Sequence, residues 1–241
     1  MYAVLSDIHG NLQALEKVVE DMKQFDIRGI FLLGDLIDYG MQSNEVVAYI
    51  RNHLEGKICC NIWGNHERAI LTPNYEGFSS ERGVLCAQHT DSLLTQDTRN
   101  YLTEKLCHEG QEEVFLQEKR ILAIHGSKED PYWKAIAPDE VRGDYSAYDL
   151  VLSGHSHYSH MFTKFYQAQD PMHRNRHGVV FLNPGSVGQP RNHNPAAQYA
   201  LVDFDTMAVQ LRAIPYDVKA AMALYDGSVD DFYRMRLEMG I

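Results

Sequence analysis

The sequence predicts an α/β protein built on two sheets. In the first third of the chain, short apolar runs alternate with segments of helical periodicity, the pattern of parallel strands joined by crossover helices. In the second half, strand-like runs follow one another with few helices between them, which a second, mixed sheet packed on the first explains. No repeat, low-complexity tract or linker-like stretch interrupts the chain, so residues 1–241 are expected to form one domain.

Taken in order, Tyr2–Leu5 is the first strand, followed by Leu12, Leu15, Val18, Val19 and Met22 at helical spacing. Ile30–Leu33 is the second run. A helical segment near Glu45–Arg51 presents Val46, Val47 and Ile50 on one face, and Ile58–Trp63 is a third strand. Residues 67–113 read as mainly helical and polar. The runs Ile121–Ile124, Leu150–Leu152, Val179–Leu182, Tyr199–Phe204 and Val209–Ile214 supply the later strands, the last two joined by a turn at Asp205-Thr206. Helices over Val218–Leu224 and Asp230–Met239 close the chain.

The composition is that of a soluble globular protein, 44% hydrophobic and 23% charged, with enough chain for a core that needs no disulfide. Asp and Glu number 33 against 22 Lys and Arg, a formal charge of −11. That balance argues against a grip on duplex nucleic acid, where cationic side chains must neutralise phosphates, and against a membrane-surface role. The start, MYAVLSDIHG, lacks a basic leader and a long apolar core. Cys59, Cys60, Cys86 and Cys107 show no CxxC spacing and read as reduced thiols, so a cytoplasmic location is expected. The twelve histidines are the outlying number.

Those histidines are not scattered. Five apolar runs end, within three positions, in metal-ligand residue types: Asp7 and His9, Asp35, Asn65 and His66, His125, and His155 with His157. In open α/β sheets ligands bind beyond the carboxyl ends of the strands. A single strand-end Asp is ordinarily a cap or turn residue; five such segments in one chain argue for a common site. The pairs Asp7-x-His9 and His155-x-His157 have the i, i+2 spacing that projects both side chains to one side of an extended backbone. A mixed oxygen and imidazole set without thiolates suits Mn, Fe, Zn or Co.

Asp7-x-His9-Gly10-Asn11, Gly34-Asp35-x-x-Asp38-Tyr39-Gly40, Gly64-Asn65-His66-Glu67, His125-Gly126 and Gly154-His155-x-His157 together resemble, in order, the motifs of the calcineurin-like metallophosphoesterases. Asn183-Pro184-Gly185-Ser186 extends the resemblance to the family's small bacterial and archaeal phosphodiesterase branch. The resemblance implies a two-sheet β-sandwich flanked by helices and two divalent transition-metal ions. One would be held by Asp7, His9, Asp35 and His157, the other by Asp35, Asn65, His125 and His155, with Asp35 shared. It implies attack on phosphorus by a metal-bridging hydroxide, with His66 as general acid and Asp38 holding its ring.

On this basis the chain is expected to hydrolyse small phosphodiester or nucleotide substrates, dinucleoside polyphosphates being one specific form. The family's phosphoprotein phosphatases carry Arg where this chain has Tyr39, which weakens that alternative, since a bidentate phosphate clamp is missing. A non-catalytic scaffold of the same fold is the other alternative, and the filled ligand positions weigh against it. Asn11, Tyr39 and Arg191 are the candidate substrate contacts. Asn11 reads equally well as a helix cap, Glu67 as a first-turn helix acid, and the locally basic stretch 170–178 as an exposed turn.

Overall fold

The computed structural model describes residues 1–241. The chain opens with β1 (Tyr2–Leu5), α1 (Leu12–Met22), β2 (Gly29–Leu32), α2 (Ser43–His53) and β3 (Ile58–Asn61). Three helices follow, α3 (Asn65–Leu71), α4 (Glu81–Leu93) and α5 (Gln96–Lys105). The later strands are β4 (Gln111–Leu116), β5 (Lys119–Ile124), β6 (Leu150–Ser153), β7 (His160–Gln167), β8 (Arg176–Asn183), β9 (Ala197–Asp203) and β10 (Ala208–Ile214). Then come α6 (Val218–Met222) and α7 (Asp231–Met239).

The strands form two five-stranded mixed sheets, ordered β10-β9-β1-β2-β3 and β4-β5-β6-β8-β7. β1, β2 and β3 are parallel in the first, and β5, β6 and β8 in the second. In the first sheet the parallel strands run from the centre to the β3 edge and the antiparallel pairs lie on the other side; in the second the parallel strands are central and the antiparallel pairs lie at both edges. This corrects the division read from sequence: β9 and β10 belong to the first sheet, where β9 pairs antiparallel with β1 (Ala3 with Leu201). Strand pairing between residues 200 positions apart leaves no local trace, so the break in character along the chain does not coincide with a break between sheets. β4 and β7 were not among the expected strands. Both are edges of the second sheet, and β7 alternates half-buried with exposed residues instead of forming an apolar run.

Alternation sets the layers. Val4, Phe31 and Leu33 face the second sheet and pack on Ile121, Ala123, Leu150, Leu152 and Leu182. Ala3, Leu5, Ile30 and Leu32 face the other way, onto Leu15, Val18, Val46 and Ile50 of α1 and α2. Each of the Val, Leu, Ile and Phe side chains among them contributes about 1.5–3 kcal/mol on full burial. Two-sided burial explains why these strands read as continuous apolar runs. The outer face of the second sheet is covered by the irregular segment between β5 and β6, where Ile136, Tyr145 and Tyr148 pack on Ile124, Val151 and Phe181. Asp21 of α1 fastens helix to sheet: it accepts from Arg212 Nε at 2.7 Å and Nη2 at 2.8 Å on β10, and from the Tyr199 hydroxyl on β9. No helix is long and apolar enough to cross a membrane.

Candidate metal centre

The parallel strands of the two sheets deliver their carboxyl ends to one edge of the sandwich. Beyond β1 and β2 the backbones remain paired: Asp7 N–H donates to Gly34 O, His9 N–H to Asp35 O and Gly10 N–H to Leu36 O, at 2.9–3.1 Å. Gly154 N–H donates to His125 O in the second sheet, and Gly188 N–H donates to Asp7 O, tying the segment after β8 to the loop after β1. Asp7, His9, Asp35, Asp38, Tyr39, His155 and His157 all have φ between 48° and 72°. The extended backbone expected for the two i, i+2 pairs is thus corrected: all four residues are left-handed, and tight loops bring their side chains together. For an L-residue with Cβ this conformation costs roughly 1–2 kcal/mol, so it persists only where surrounding bonds impose it.

Donor atoms of Asp7, His9, Asp35 and His157 lie within 4.8 Å of one another, and so do those of Asp35, His125 and His155. Asp35 is common to both groups. Its Oδ2 is 3.6 Å from His9 Nε2 and 3.3 Å from His125 Nε2, while Oδ1 accepts the His66 N–H at 2.9 Å. Asn65 Oδ1 completes the second group, 3.0 Å from His125 Nε2 and 2.9 Å from His155 Nδ1. His9, His125 and His157 each direct Nδ1 at a backbone carbonyl, of Ile37, Leu33 and Gln189 respectively. That fixes the ring and turns Nε2 inward, the arrangement that metal-ligating histidines need.

The donor set fits cations. Asp7 Oδ1 is buried without a hydrogen-bond partner, and the His9 and His157 Nε2 atoms face each other at 3.3 Å. Buried lone pairs converge here with too few protons to satisfy them. Burial holds His9 well below the usual imidazole range and lowers His155 to about 3 and His157 to about 4. All three are therefore neutral, as ligation requires. Burial alone would raise the Asp35 carboxyl, but the His125, His66 and His9 imidazoles outweigh it and hold Asp35 well below the carboxylate range. Asp7 is likewise lowered against burial, chiefly by His157. His125 goes the other way, to about 9, because Asp35 overcomes its desolvation.

His66 stands beside these groups at the start of α3. Its Nδ1 meets Asp38 Oδ2 at 2.6 Å, and Nε2 lies 3.9 Å from Asp35 Oδ2. Thr90 of α4 donates to Asp38 Oδ1 at 2.6 Å, so both carboxylate oxygens are held. Desolvation lowers the His66 pKa, but Asp35 and Asp38 prevail and raise it.

Glu67 does more than cap a first turn. Fully buried, its Oε2 accepts from Gly64 and Asp35 N–H at 2.8 Å, and Oε1 from Leu36 at 2.7 Å and Ile37 at 3.3 Å. One carboxylate thus folds the Asp35 loop against α3. Gly64 lies so close to that loop that a Cβ there would be 2.1 Å from Asp35 Oδ1.

The expected substrate contacts divide. Tyr39 and Arg191 line a cavity of about 350 Å³ together with Asp35, Asn65, His66, His155 and His157. Tyr39 stacks on Tyr233 of α7 at 4.6 Å and meets His66 edge-on at 4.4 Å. Asn11 is corrected to a structural role: Oδ1 caps α1 through Ala14 N–H, and Nδ2 donates to Gly188 O and the Tyr216 hydroxyl, leaving no amide donor for a substrate. The stretch 170–178 connects β7 to β8 at the end of β8 opposite Asn183, away from the ligands, and is mostly exposed. The segment after β8 braces the site as well as carrying Arg191: Ser186 Oγ donates to Asp7 O at 2.7 Å, and Gln189 O holds His157. Thr90, Arg82, Tyr233 and Arg236 also reach Asp38 or the cavity, and sequence reasoning missed all four.

The fold and the donor cluster define a metal-dependent phosphoester hydrolase, and comparison with known proteins agrees. Residues 1–207 match the calcineurin-like phosphoesterase superfamily domain, and the chain belongs to that family. An uncharacterized protein of Methanocaldococcus jannaschii is 30% identical over 230 residues, 92% of this chain and 90% of that one. The phosphodiesterase YfcE of Escherichia coli K12 is 24% identical over 204 residues, 85% of this chain and 88% of YfcE. Two crystal structures share the fold. A metallophosphoesterase from Sphaerobacter thermophilus has a TM-score of 0.76 at 24% identity, covering 100% of this chain and 98% of the other. A hypothetical protein from Pyrococcus horikoshii OT3 has a TM-score of 0.81 at 22% identity, with the same coverage.

Proposed function

We propose that the chain hydrolyses small phosphodiester or nucleotide substrates, dinucleoside polyphosphates among them, with His66 as the general acid. The observation that carries the reading is the chain Thr90–Asp38–His66, which ends with the imidazole at the cavity beside the donor cluster. Asp7, His9, Asp35 and His157 would hold one divalent transition-metal ion, and Asp35, Asn65, His125 and His155 a second; Mn, Fe, Zn and Co suit these donors. When bound, the ions supply Lewis acidity toward the phosphoryl oxygens and a nucleophile derived from water.

The protein's own contribution is placement. Asp38 accepts the His66 Nδ1 proton, which leaves Nε2 to carry the proton toward a leaving oxygen in the cavity. Tyr39, packed on both His66 and Tyr233, keeps the ring from turning. The E. coli relative's name as a phosphodiesterase supports the same reaction class. The reading takes residues 1–241 as one domain, because α7 lines the cavity into which the strand-end ligands open. It also takes the protein as cytoplasmic, a location its four free cysteines support.

The test is a metal-reconstituted screen across phosphomonoesters, cyclic nucleotides, dinucleoside polyphosphates and phosphopeptides, followed by His66→Ala on the best substrate. His66→Ala should lower turnover about 10²–10⁴-fold with near-normal metal content. Wild-type turnover in that variant would remove the acid assignment.

A further inference from the structure

The cavity beside the donor cluster holds three arginines from three parts of the chain: Arg82 in the first turn of α4, Arg191 after β8 and Arg236 on α7. Seven arginines elsewhere pair with carboxylates, among them Arg51 with Asp97, Arg99 with Asp91 and Arg234 with Asp231, while Arg68, Arg174 and Arg176 do not. In a chain with 33 acidic residues against 22 basic ones, none of the three cavity arginines has an Asp or Glu side chain within ion-pair distance. Arg191 Nε is buried with no hydrogen-bond partner at all. Arg236 is only 6% exposed, and its side chain makes one hydrogen bond within the chain, from Nε to the main-chain oxygen of Ile241, the last residue of the sequence.

Aromatic rings hold these cations in place. Arg82 lies over the Phe232 ring at 3.8 Å and Arg236 over the same ring at 5.0 Å. Arg236 also lies 5.9 Å from the centre of the Tyr39 ring. Burial, with the neighbouring charges of Arg191 and Arg82, lowers the Arg236 pKa to about 10. A buried Arg236 beside the like charges of Arg191 and Arg82 disfavours the cavity without an anion, and an anion with several charges relieves the repulsion. Guanidinium forks match phosphate oxygens in pairs. Phe232 is engaged by two guanidinium groups, and Tyr233 is stacked on Tyr39.

We propose that Arg82, Arg191 and Arg236 form a second anion subsite beside the donor cluster, which selects substrates carrying a further phosphoryl group next to the scissile ester. The inference rests on the phosphoesterase reading for the scissile group and adds the class of its neighbour: an oligophosphate or a nucleoside oligophosphate. Arg236 lies on α7, outside the residues 1–207 that match the family domain.

The test compares p-nitrophenyl esters of thymidine 5′-monophosphate and thymidine 5′-diphosphate, with consumption followed chromatographically on the metal-loaded full chain. Wild type should favour the diphosphate ester by about tenfold or more in kcat/KM, the scale of one hydrogen-bonded charge pair. Arg82→Ala and Arg191→Ala should each shrink that ratio toward one, and Arg191→Lys should restore part of it. Arg82 is exposed, so its variant tests the proposal even if substitution at Arg236 prevents folding. In parallel, tripolyphosphate binding to the full chain is measured by calorimetry in excess chelator; wild type should bind it and the Arg82→Ala/Arg191→Ala variant should not. A wild-type ratio near one, a ratio unmoved in the variants, or binding indifferent to them overturns the proposal. Arginine-dependent binding by a chain inert toward both esters under every metal would instead sink the phosphoesterase reading and leave the anion subsite standing.

Discussion

Replacing Gly188 with alanine would place a methyl carbon 1.8 Å from the Ile8 carbonyl oxygen and 3.0 Å from Asn11 Cβ. Real Cβ atoms essentially never come closer than 3.0 Å to a neighbour, so the two backbones must part by about 1.2 Å. Gly188 is not left-handed, which makes the effect purely one of space. The separation strains two hydrogen bonds, Gly188 N–H to Asp7 O at 3.1 Å and Asn11 Nδ2 to Gly188 O at 3.0 Å. At about 1 kcal/mol each, with about 1–3 kcal/mol for overpacking, the substitution should destabilise the fold by roughly 3–5 kcal/mol. The same displacement moves Asp7 and His9 away from Gln189 O, which orients His157, so metal affinity should fall with stability. Urea unfolding in chelator reads the first effect and a metal-binding isotherm the second. Gly56→Ala is the control: nothing lies within 4 Å of its added carbon, and stability should hold or rise by about 0.4–1 kcal/mol. A Gly188→Ala protein within about 1 kcal/mol of wild type and with wild-type metal affinity would refute the reasoning.

Glu67→Gln keeps one acceptor oxygen and turns an NH₂ group onto two backbone donors, so metal affinity should drop about 10–100-fold, read by isotherm at constant pH. Asp35→Asn removes the carboxylate common to both donor groups. Chelation should therefore lower the wild-type unfolding midpoint, by an amount equivalent to about 2.7 kcal/mol when metal had been at a hundredfold over Kd, and leave that of Asp35→Asn unmoved. Asp21 is held below its ordinary pKa of 3.8, first by the Arg212 hydrogen bonds acting against burial. A depressed folded-state pKa means that its contribution is complete above about pH 4 and is lost as pH falls through the folded value. The difference in urea midpoint between wild type and Asp21→Asn should thus be steady near neutrality and shrink below pH 4. A gap independent of acid would count against the Asp21–Arg212 pair.

What the sequence revealed follows from where its information is local. Strands buried on both faces, such as β1, β2 and β6, announce themselves as apolar runs, and the candidate ligands stand immediately after them. β4 and β7 mix polar and apolar residues because each lies at a sheet edge, and they escaped the same reading. The pairing of β9 with β1 joins residues 200 positions apart, a choice no window of sequence contains. The same distance hid the supporting residues. Thr90, Glu67, Arg82 and Arg236 are ordinary helix residues in their own segments, and only the meeting of α3, α4 and α7 around the Asp35–Asp38 loop gives them partners.

The left-handed backbone at the candidate ligands has an evolutionary side. Glycine enters that region without the steric penalty that Asp7, His9, Asp35, His155 and His157 each bear, and Gly10 and Gly34 already occupy it beside them. Exchanging a ligand for glycine would thus relieve local strain while abolishing a metal contact, so thermodynamic selection and chemical selection pull in opposite directions at these positions. A descendant released from any need for catalysis would gain in robustness by shedding its ligands first.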